Sequence, residues 1–321
     1  MKVSVLVPVY GVERFIEQCA ASLFDQSYPD LEFVFVDDCT PDDSMSKLQE
    51  VMSRYPNRQG QVRLLRHDVN RGLGAARLTA LHAATGDFVI NVDSDDFLPV
   101  NAIQLLVDQQ RQKDADIVSG KIRIYEEGGQ SRDLPVAQYE KKKVLKLMLI
   151  QNTMPHNLCG RLVRRSLFSV HGIEPVEGVN QAEDYAVTPR LYYAANVVDY
   201  VTDVVYYYQV FASDTFSDAI SPRHVQSYMK AAGLVNDFIL IRDQTGDYSF
   251  AIETGMLNVF YLSMKAGVTP ALIRQVCHYQ PHGLLFRLLH ACLASVNTLQ
   301  LLRLSYLAVK WCYKRWLNYW L

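Results

Sequence analysis

The sequence predicts an α/β fold, with a mainly parallel, doubly wound sheet flanked by helices and a mostly helical C-terminal region. Four short apolar runs, at residues 3–9, 31–36, 62–66 and 88–92, have the length and β-branched composition of buried strands. A stretch with helical periodicity separates each run from the next. Alternating strands and helices are typical of parallel sheets, and this alternation therefore sets the fold class.

The first two helices follow from their patterns of residues. A helix is predicted over residues 13–25, where Ile16, Cys19 and Leu23 fall on one apolar face. The second helix is expected to use Thr40 as its N-cap and Pro41 as its first helical residue, with acids in its first turn.

The later elements continue the alternation less regularly. Helices are predicted over residues 102–113, 142–151 and 183–195, and strands over 116–119 and 201–208. A turn is expected near residues 126–129 and a Gly- and Pro-containing loop over 171–180. We expect one domain over residues 1–220, with halves at 1–100 and 101–220, and a separate helical region over 221–321.

Composition excludes several classes of protein. A formal net charge of −2 argues against a nucleic-acid binder with a globally basic surface. The six cysteines have neither CxxC pairs nor zinc-ligand spacing, which favours a reducing, cytoplasmic setting. The N-terminal apolar run is short and leads directly into charged, helix-like sequence, so we interpret it as the first strand and not as a signal peptide.

The last part of the C-terminal region carries charge of one sign. From Thr254 to the end there is no Asp or Glu, and basic residues alternate with Trp311, Trp316 and Trp320. Helices at membrane surfaces have this composition, and charges interrupt it too often for a membrane span. The pattern predicts peripheral contact with the inner face of a membrane. The alternative is a helical subdomain that packs on the core or on a second subunit.

Three carboxylates follow the fourth strand within four positions, at Asp93, Asp95 and Asp96. They should repel one another unless a cation lies between them. Hard oxygen ligands without nearby His or Cys favour Mn²⁺ or Mg²⁺, which often take further ligands from substrate phosphates. The alternative is an acidic turn that only caps the next helix.

Two further segments are expected near the same edge of the sheet. Asp37 and Asp38 end the second strand, where a carboxylate can accept hydrogen bonds from a base or a ribose. Residues 70–77 contain glycines that permit close backbone approach, and Arg71 and Arg77 can meet a base or a phosphate. This loop has the spacing of neither a dinucleotide fingerprint nor a P-loop, so the alternative is ordinary packing at the start of a helix.

Together these motifs resemble the family 2 glycosyltransferases, over about residues 1–210 and in the expected order. That resemblance implies the GT-A fold, a nucleotide-sugar donor and inversion of the anomeric centre. The matching residues are Val7-Pro8-Val9-Tyr10, Ser22-Leu23 with Gln26, Val36-Asp37-Asp38, Asn70-Arg71-Gly72 with Ala76-Arg77, Gly86-Asp87 and Asp93-Ser94-Asp95-Asp96.

The resemblance also implies roles for particular residues. The binding residues for the nucleotide sugar would be Pro8, Val9, Tyr10, Asp37 or Asp38, Arg77, Asp93 and Ser94. Asp95 would bind Mn²⁺ or Mg²⁺, with Asp93 near the ribose or the metal. Cys39-Thr40-Pro41 stands where the family usually has Gly-Ser, which makes that turn less flexible.

Glu183 and Asp184 resemble the acidic pair of the family whose second member is the general base. The resemblance therefore implies that Asp184 deprotonates the acceptor hydroxyl. From the residues alone, an acid pair stabilised by the helix dipole is the alternative. Upstream, Gly160 and Arg161 depart from the Asn-Lys that the family often has.

The expected activity is metal-assisted transfer of a sugar from a nucleotide-sugar donor, with UDP as the first choice of carrier. The acceptor would be a hydroxyl of a glycan or a lipid-linked saccharide. A sugar-nucleotide nucleotidyltransferase is a poorer fit, because the first strand lacks the glycine-rich basic signature that should follow it. The remaining alternative is a catalytically silent carbohydrate-binding or membrane-binding scaffold that retains the fold.

Overall fold

The computed structural model describes residues 1–126, 130–134, 136, 138–150, 154–210 and 222–265. The chain forms two compact units. Unit 1 consists of Met1–Gln138, Asn157–Gly178 and Ala194–Thr215, and unit 2 consists of Tyr139–His156, Val179–Tyr193 and Phe216–Leu321. The sequence places a boundary near residue 220, whereas two earlier segments, 139–156 and 179–193, also belong to unit 2.

Unit 1 is built on a mixed sheet with the order β3-β2-β1-β4-β7-β5-β6, in which β8 pairs with β5. The pairs among β1, β2, β3 and β4 are parallel, and β7 is antiparallel to both of its neighbours. The strands are β1 (Val3–Val9), β2 (Leu31–Asp37), β3 (Val62–Arg66), β4 (Phe88–Asn91), β5 (Ile117–Glu126), β6 (Ser131–Asp133), β7 (Arg161–Arg164) and β8 (Val198–Val210). The predicted fold class is confirmed.

Helices of unit 1 connect these strands and cover the sheet. They are α1 (Ile16–Phe24), α2 (Ser44–Arg54), α3 (Leu73–Ala83), α4 (Ala102–Lys113) and α6 (Ser166–His171). Every residue of β1 and β2 is buried, as expected for central parallel strands. The apolar face of α1 packs on them, and the ring of Phe24 meets that of Phe33 edge to face at 5.2 Å.

The predicted start of α2 is wrong. The helix begins at Ser44, its N-cap position is Asp43, and no side chain caps it. Thr40 instead accepts a hydrogen bond from the Gly11 N–H at 2.9 Å and donates to Asp42 at 2.7 Å. Asp42 in turn accepts hydrogen bonds from the N–H and the hydroxyl of Ser44, so the turn closes before the helix starts.

Other predicted bounds differ where long-range pairing extends an element. The predicted strands over 116–119 and 201–208 are the longer β5 and β8, because these strands pair in parallel from Ile117 opposite Val198 to Glu126 opposite Val210. The predicted helix over 13–25 is the shorter α1. The helix over 102–113 is confirmed as α4.

Unit 2 is helical in its described part. It contains α5 (Lys141–Leu149), nearly all of α7 (Glu183–Ala194), α8 (Pro222–Arg242) and α9 (Ser249–Lys265), and α9 packs against both α5 and α8. Lys142 at the start of α5 forms a 2.6 Å ion pair with Asp247, just before α9. The predicted basic and aromatic segment beyond residue 265 and part of the 126–129 turn lie outside the described residues. No helix within the described ranges has the length and apolar character needed to cross a bilayer.

Candidate active site

The acidic motifs of unit 1 meet where the strand order reverses. β1 lies between β2 and β4, and all three run parallel, so their carboxyl ends share one edge of the sheet. Val9 at the end of β1 is in register with Asp37, and the N–H of Val92, just after β4, donates to the carbonyl of Leu6 at 3.0 Å. In open α/β sheets, ligands bind in the crevice at this point.

Asp37 is buried at the end of β2, with 4% of its surface exposed. One of its carboxylate oxygens accepts a hydrogen bond from the Thr40 N–H at 2.8 Å. The other lies 3.4 Å from the Nε of Arg66, whose side chain is 72% exposed. A long ion pair to an exposed arginine contributes little, so this second oxygen is the less strongly held.

Asp38 is held more completely. Its carboxylate accepts hydrogen bonds from the N–H of Arg71 at 2.9 Å and of Gly72 at 2.7 Å, and it lies 2.6 Å from Nδ1 of the buried His67. The other ring nitrogen of His67 lies 2.9 Å from the Thr79 hydroxyl. Asp38 therefore fixes the loop that leads into α3, a role that sequence reasoning did not assign to it.

Arg77 lies in α3, the helix that follows the loop held by Asp38. Arg77 is 2% exposed, and its guanidinium donates to Oδ1 of Asp93 at 2.7 Å. The Asp93 side chain remains 25% exposed. Arg77 thus contacts an acid of the site and fixes the orientation of that acid.

The acidic loop at residues 93–96 contains three carboxylates in different surroundings. Asp93 and Asp95 are partly exposed, whereas Asp96 is fully buried. Burial, followed by the charges of Asp95 and Asp93, raises the pKa of Asp96 well above its ordinary value. Arg77, which contacts Asp93, and the hydrogen-bond donors to Asp96 offset part of the repulsion among the three acids. From the sequence alone, a cation is expected to balance this repulsion.

Strand β8 supplies those partners of Asp96. The Tyr206 hydroxyl donates to Oδ2 of Asp96 at 2.7 Å, and the Gln209 N–H donates to its Oδ1 at 2.8 Å. The sequence analysis assigned neither Tyr206 nor Gln209 a role in the site. No local signal marks these two residues, because the loop they contact lies more than 100 positions away in the sequence.

The described residues contain no group of three or more His, Cys, Asp and Glu side chains arranged to hold a metal ion. Magnesium-type sites, however, commonly use one or two protein carboxylates and complete their coordination with phosphates and water. Asp93 and Asp95 are two partly exposed acids within one turn. Such a donor set fits a hard divalent cation that arrives with a diphosphate.

The remaining candidates in unit 1 differ in exposure. Tyr10, just after β1, is 50% exposed and presents its ring to solvent. Pro8 and Val9 are buried, and the Val9 carbonyl accepts a hydrogen bond from the Asp38 N–H at 3.0 Å. Ser94 is 5% exposed. Of these four residues, Tyr10 is the one whose side chain is open to a ligand.

Asp184 belongs to unit 2, at the start of α7, and is partly exposed. The residue two positions earlier, Ala182, has a φ of 59°, a left-handed conformation that alanine rarely adopts. The neighbouring Gln181 is tied to α8, because its N–H donates to the Ser227 hydroxyl at 3.1 Å and its carbonyl accepts from that hydroxyl at 2.9 Å. Non-glycine residues with strained backbones concentrate at functional sites.

Comparison with known proteins identifies relatives of the chain. The uncharacterized glycosyltransferase EpsJ of Bacillus subtilis is 31% identical over 215 residues, which cover 64% of this chain and 60% of EpsJ. The poly(ribitol-phosphate) beta-glucosyltransferase of Bacillus spizizenii is 29% identical over 214 residues, covering 65% of this chain and 32% of that protein. The chain thus spans less than two thirds of the length of both relatives.

A solved structure with the same fold is that of residues 1–349 of TarS from S. aureus in complex with UDP-GlcNAc. It superposes with a TM-score of 0.67 at 24% identity, covering 85% of this chain and 79% of that one. The sequence profile of glycosyl transferase family 2 matches residues 4–172, more than half of the chain and the part that contains β1, β2 and the acidic loop. By sequence and by fold, the chain belongs to glycosyl transferase family 2 and has the GT-A fold.

Proposed function

We propose that this protein transfers a sugar from a UDP-linked donor to a hydroxyl group of a glycan or a lipid-linked saccharide, with inversion of the anomeric centre. The observation that carries this proposal is the placement of the Asp37 carboxylate and the acidic loop at the carboxyl ends of β2 and β4, the two parallel strands that flank β1. This arrangement offers acceptors for a nucleoside at one end and carboxylates for a diphosphate-bound cation at the other.

Asp37 is the better candidate than Asp38 for binding the base. Both carboxylate oxygens of Asp38 are already engaged, by the buried His67 and by backbone N–H groups at the start of α3. One carboxylate oxygen of Asp37 accepts a hydrogen bond from the Thr40 N–H, and the other contacts the exposed side chain of Arg66. The Tyr10 ring, open to solvent after β1, supplies a flat surface beside the nucleoside, and the buried Pro8 and Val9 form the floor below it.

Asp93 and Asp95 are proposed to hold the divalent cation, Mn²⁺ or Mg²⁺, with Ser94 between them shaping the turn. When bound, the cation offsets the charge that develops on the departing nucleoside diphosphate. Arg77 contributes by holding Asp93, since its guanidinium is buried against that carboxylate.

Asp184 is proposed as the general base. The acceptor oxygen attacks C1 of the sugar from the face opposite the nucleotide, the bond from C1 to the diphosphate oxygen breaks, and the acceptor proton passes to Asp184. A single displacement of this kind inverts the anomeric centre. An α-linked donor therefore gives a β-linked product.

The choice of UDP is supported by the solved TarS complexes, which contain UDP-GlcNAc and UDP. The choice of a glycan acceptor is supported by the names of the relatives, among them the poly(ribitol-phosphate) beta-glucosyltransferase. We also propose a cytoplasmic enzyme that touches a membrane surface through its C-terminal region, supported by the basic and aromatic sequence after residue 265. Sedimentation with anionic vesicles, compared with neutral ones, tests that contact.

The donor site is tested by thermal-shift titration with UDP, GDP, CMP and dTDP, each with and without Mn²⁺. A ligand that binds the native state raises its melting temperature. We expect UDP to stabilise the wild type most, more so with Mn²⁺, and Asp95→Asn to lose the metal-dependent part. Asp108→Asn, an exposed acid on α4, is the matched control and should behave as the wild type.

Turnover is tested next, by release of UDP from UDP-sugars in the presence of saccharide acceptors. If no nucleotide stabilises the wild type, the proposed donor site is wrong. If UDP and Mn²⁺ stabilise it but no UDP-sugar turns over with any acceptor, the silent scaffold is the better description.

A further inference from the structure

The acidic loop has little structure of its own. It leaves β4 after Asn91, and one hydrogen bond inside it, from the Asp96 N–H to the Asp93 carbonyl at 3.0 Å, closes its turn. Asp93 and Asp95 lie at the start of that turn and within it. Contacts from outside the loop therefore contribute to the relative placement of Asp93 and Asp95.

Strand β8 provides four polar contacts to this loop through two residues. The Tyr206 hydroxyl accepts from the Asp93 N–H at 3.1 Å and donates to the Asp96 carboxylate at 2.7 Å. Gln209 donates from its backbone to the same carboxylate at 2.8 Å and from its side-chain Nε2 to the Asp95 carbonyl at 2.7 Å. All three acids of the loop are thus tied to one strand.

A pair of backbone hydrogen bonds extends the attachment by one residue. Phe97 and Tyr207 exchange N–H···O bonds of 3.3 and 2.9 Å, as in an antiparallel ladder. The end of β8 is itself held by its long pairing with β5. The loop is therefore anchored to an element that belongs to the body of the sheet.

We infer that Tyr206 and Gln209 are positioning residues, which fix the backbone that carries the Asp93 and Asp95 carboxylates and so set the separation that a cation bound to a nucleoside diphosphate requires. The inference rests on the proposed function and assigns residues that the acidic motif does not contain. Groups that orient metal ligands typically change metal affinity by about 10- to 100-fold when they are removed. In this role both residues act through the acidic loop.

Tyr206→Phe removes the hydroxyl and keeps the ring, and Tyr207→Phe removes the same atom from the next residue of the strand. The Tyr207 ring contacts those of Phe97 and Tyr125, and its hydroxyl is no part of the attachment to the loop. Gln209→Met is a second variant, which loses the side-chain bond to Asp95 but keeps the backbone bond to Asp96. Because Gln209 is partly exposed, this variant should fold even if the buried Tyr206→Phe does not.

Two measurements separate the inference from the proposed function. Hydrogen exchange of the segment 92–97, without ligand, should be faster in Tyr206→Phe and Gln209→Met than in the wild type and Tyr207→Phe. Calorimetric titration with UDP should show about 10-fold or greater weakening in Mn²⁺ for the first two variants, with UDP affinity in EDTA changed by less than about twofold.

Unchanged exchange, or unchanged affinity for UDP in Mn²⁺, overturns the positioning role. Equal weakening with and without Mn²⁺ also overturns it, because a general loss of structure would act on both. A wild type that binds no UDP overturns the proposed function, whereas the exchange result still reports whether β8 holds the loop.

Discussion

The hydroxyl of Tyr206 lies 2.7 Å from Oδ2 of Asp96, although the two residues are 110 positions apart in the chain. This contact joins the end of β8 to the loop after β4. Both side chains are fully buried, so the hydrogen bond is shielded from bulk solvent. It gives Asp96 a structural role in a motif whose other acids, Asp93 and Asp95, are partly exposed.

Removing that carboxylate should cost stability. Asp96→Ala removes the acceptor of both the buried Tyr206 hydroxyl and the Gln209 N–H, and a buried donor left without an acceptor costs about 1–3 kcal/mol. We expect the free energy of unfolding to fall by roughly 2–5 kcal/mol in urea titrations. Asp108→Ala on the exposed face of α4 should change it by less than about 0.5 kcal/mol. Equal effects of the two substitutions would contradict the structural role of Asp96.

The two acids at the end of β2 should separate into a binding residue and a structural one. Asp37→Asn should weaken UDP binding by about tenfold, the loss expected for one hydrogen bond to a charged group, with little change in melting temperature. Asp38→Asn places an amide N–H against the donors of the α3 loop, so it should lower stability by about 1–3 kcal/mol. Calorimetric titration with UDP and urea unfolding measure the two effects. The reverse pattern would transfer the base-binding role to Asp38.

The turn after β2 should tolerate glycine better than its native residue. Cys39 has a φ of 57°, a conformation that disfavours side chains, and it stands where the family usually has glycine. Cys39→Gly relieves this strain and adds freedom to the unfolded chain, so the net gain should be less than about 1 kcal/mol. Cys39→Val, β-branched at the same φ, should instead lower the melting temperature. A stabilising valine would show that strain at this position is negligible.

Glu32 should make stability depend on pH in the acid range. Burial alone would raise the pKa of Glu32, but hydrogen bonds from Ser4, Thr85 and Lys2 lower this pKa to about 2. The pKa in the unfolded chain is about 4.3, so the stabilisation is complete above that pH and is lost as the pH falls towards 2.

The size of this effect follows from the depressed pKa. At neutral pH, Glu32→Gln should cost roughly 2–3 kcal/mol, and the difference from the wild type should shrink below about pH 4. Glu50→Gln, an exposed acid on α2, is the control and should have little effect. Urea titrations between pH 7 and 3 measure both variants, and a pH-independent difference would be at odds with the assigned cause.

Asp184 should affect turnover and spare donor binding. Asp184→Asn cannot accept the proton of the acceptor hydroxyl, so kcat should fall by about 10²- to 10⁴-fold while the UDP affinity stays within about twofold. Glu183→Gln, its neighbour on α7, should retain most of the rate. Steady-state kinetics with the best acceptor, combined with UDP titration, provide the measurement. An active Asp184→Asn enzyme would exclude this residue as the base.

Short-range patterns were sufficient for the first half of the fold. Strands β1 to β4 and helix α4 are where apolar runs and helical periodicity predict them. The strands β1, β2 and β4 are buried as expected, whereas β3, at the edge of the sheet, is partly to fully exposed. The length of β8 was not predictable in this way, since its ends are set by pairing with β5 and not by its composition. The start of α2 was predicted wrongly for a related reason, because the Thr40 hydroxyl accepts a hydrogen bond from Gly11 in another turn and does not cap the helix.

The same distinction applies to the candidate site. Asp37, Asp93 and Asp95 could be selected because strand ends and acidic motifs are visible along the sequence. The roles of His67, Tyr206 and Gln209 could not be predicted from the sequence. A histidine or tyrosine in an apolar stretch has the same local pattern whether it packs in the core or donates a hydrogen bond to a distant carboxylate. Only the tertiary fold brings these donors to the acids.

The antiparallel strand β7 has a consequence for the way in which the chain is made. It fills the gap between β4 and β5, with Val163 opposite both Val89 and Ile117. On a ribosome adding about 5–20 residues per second, β4 emerges roughly 4–15 s before Arg164 does. Throughout that interval the edge of β4 on which β7 pairs has no partner strand, so its backbone N–H and C=O groups are open to pairing with another nascent chain. A chaperone would prevent such pairing most effectively at this stage.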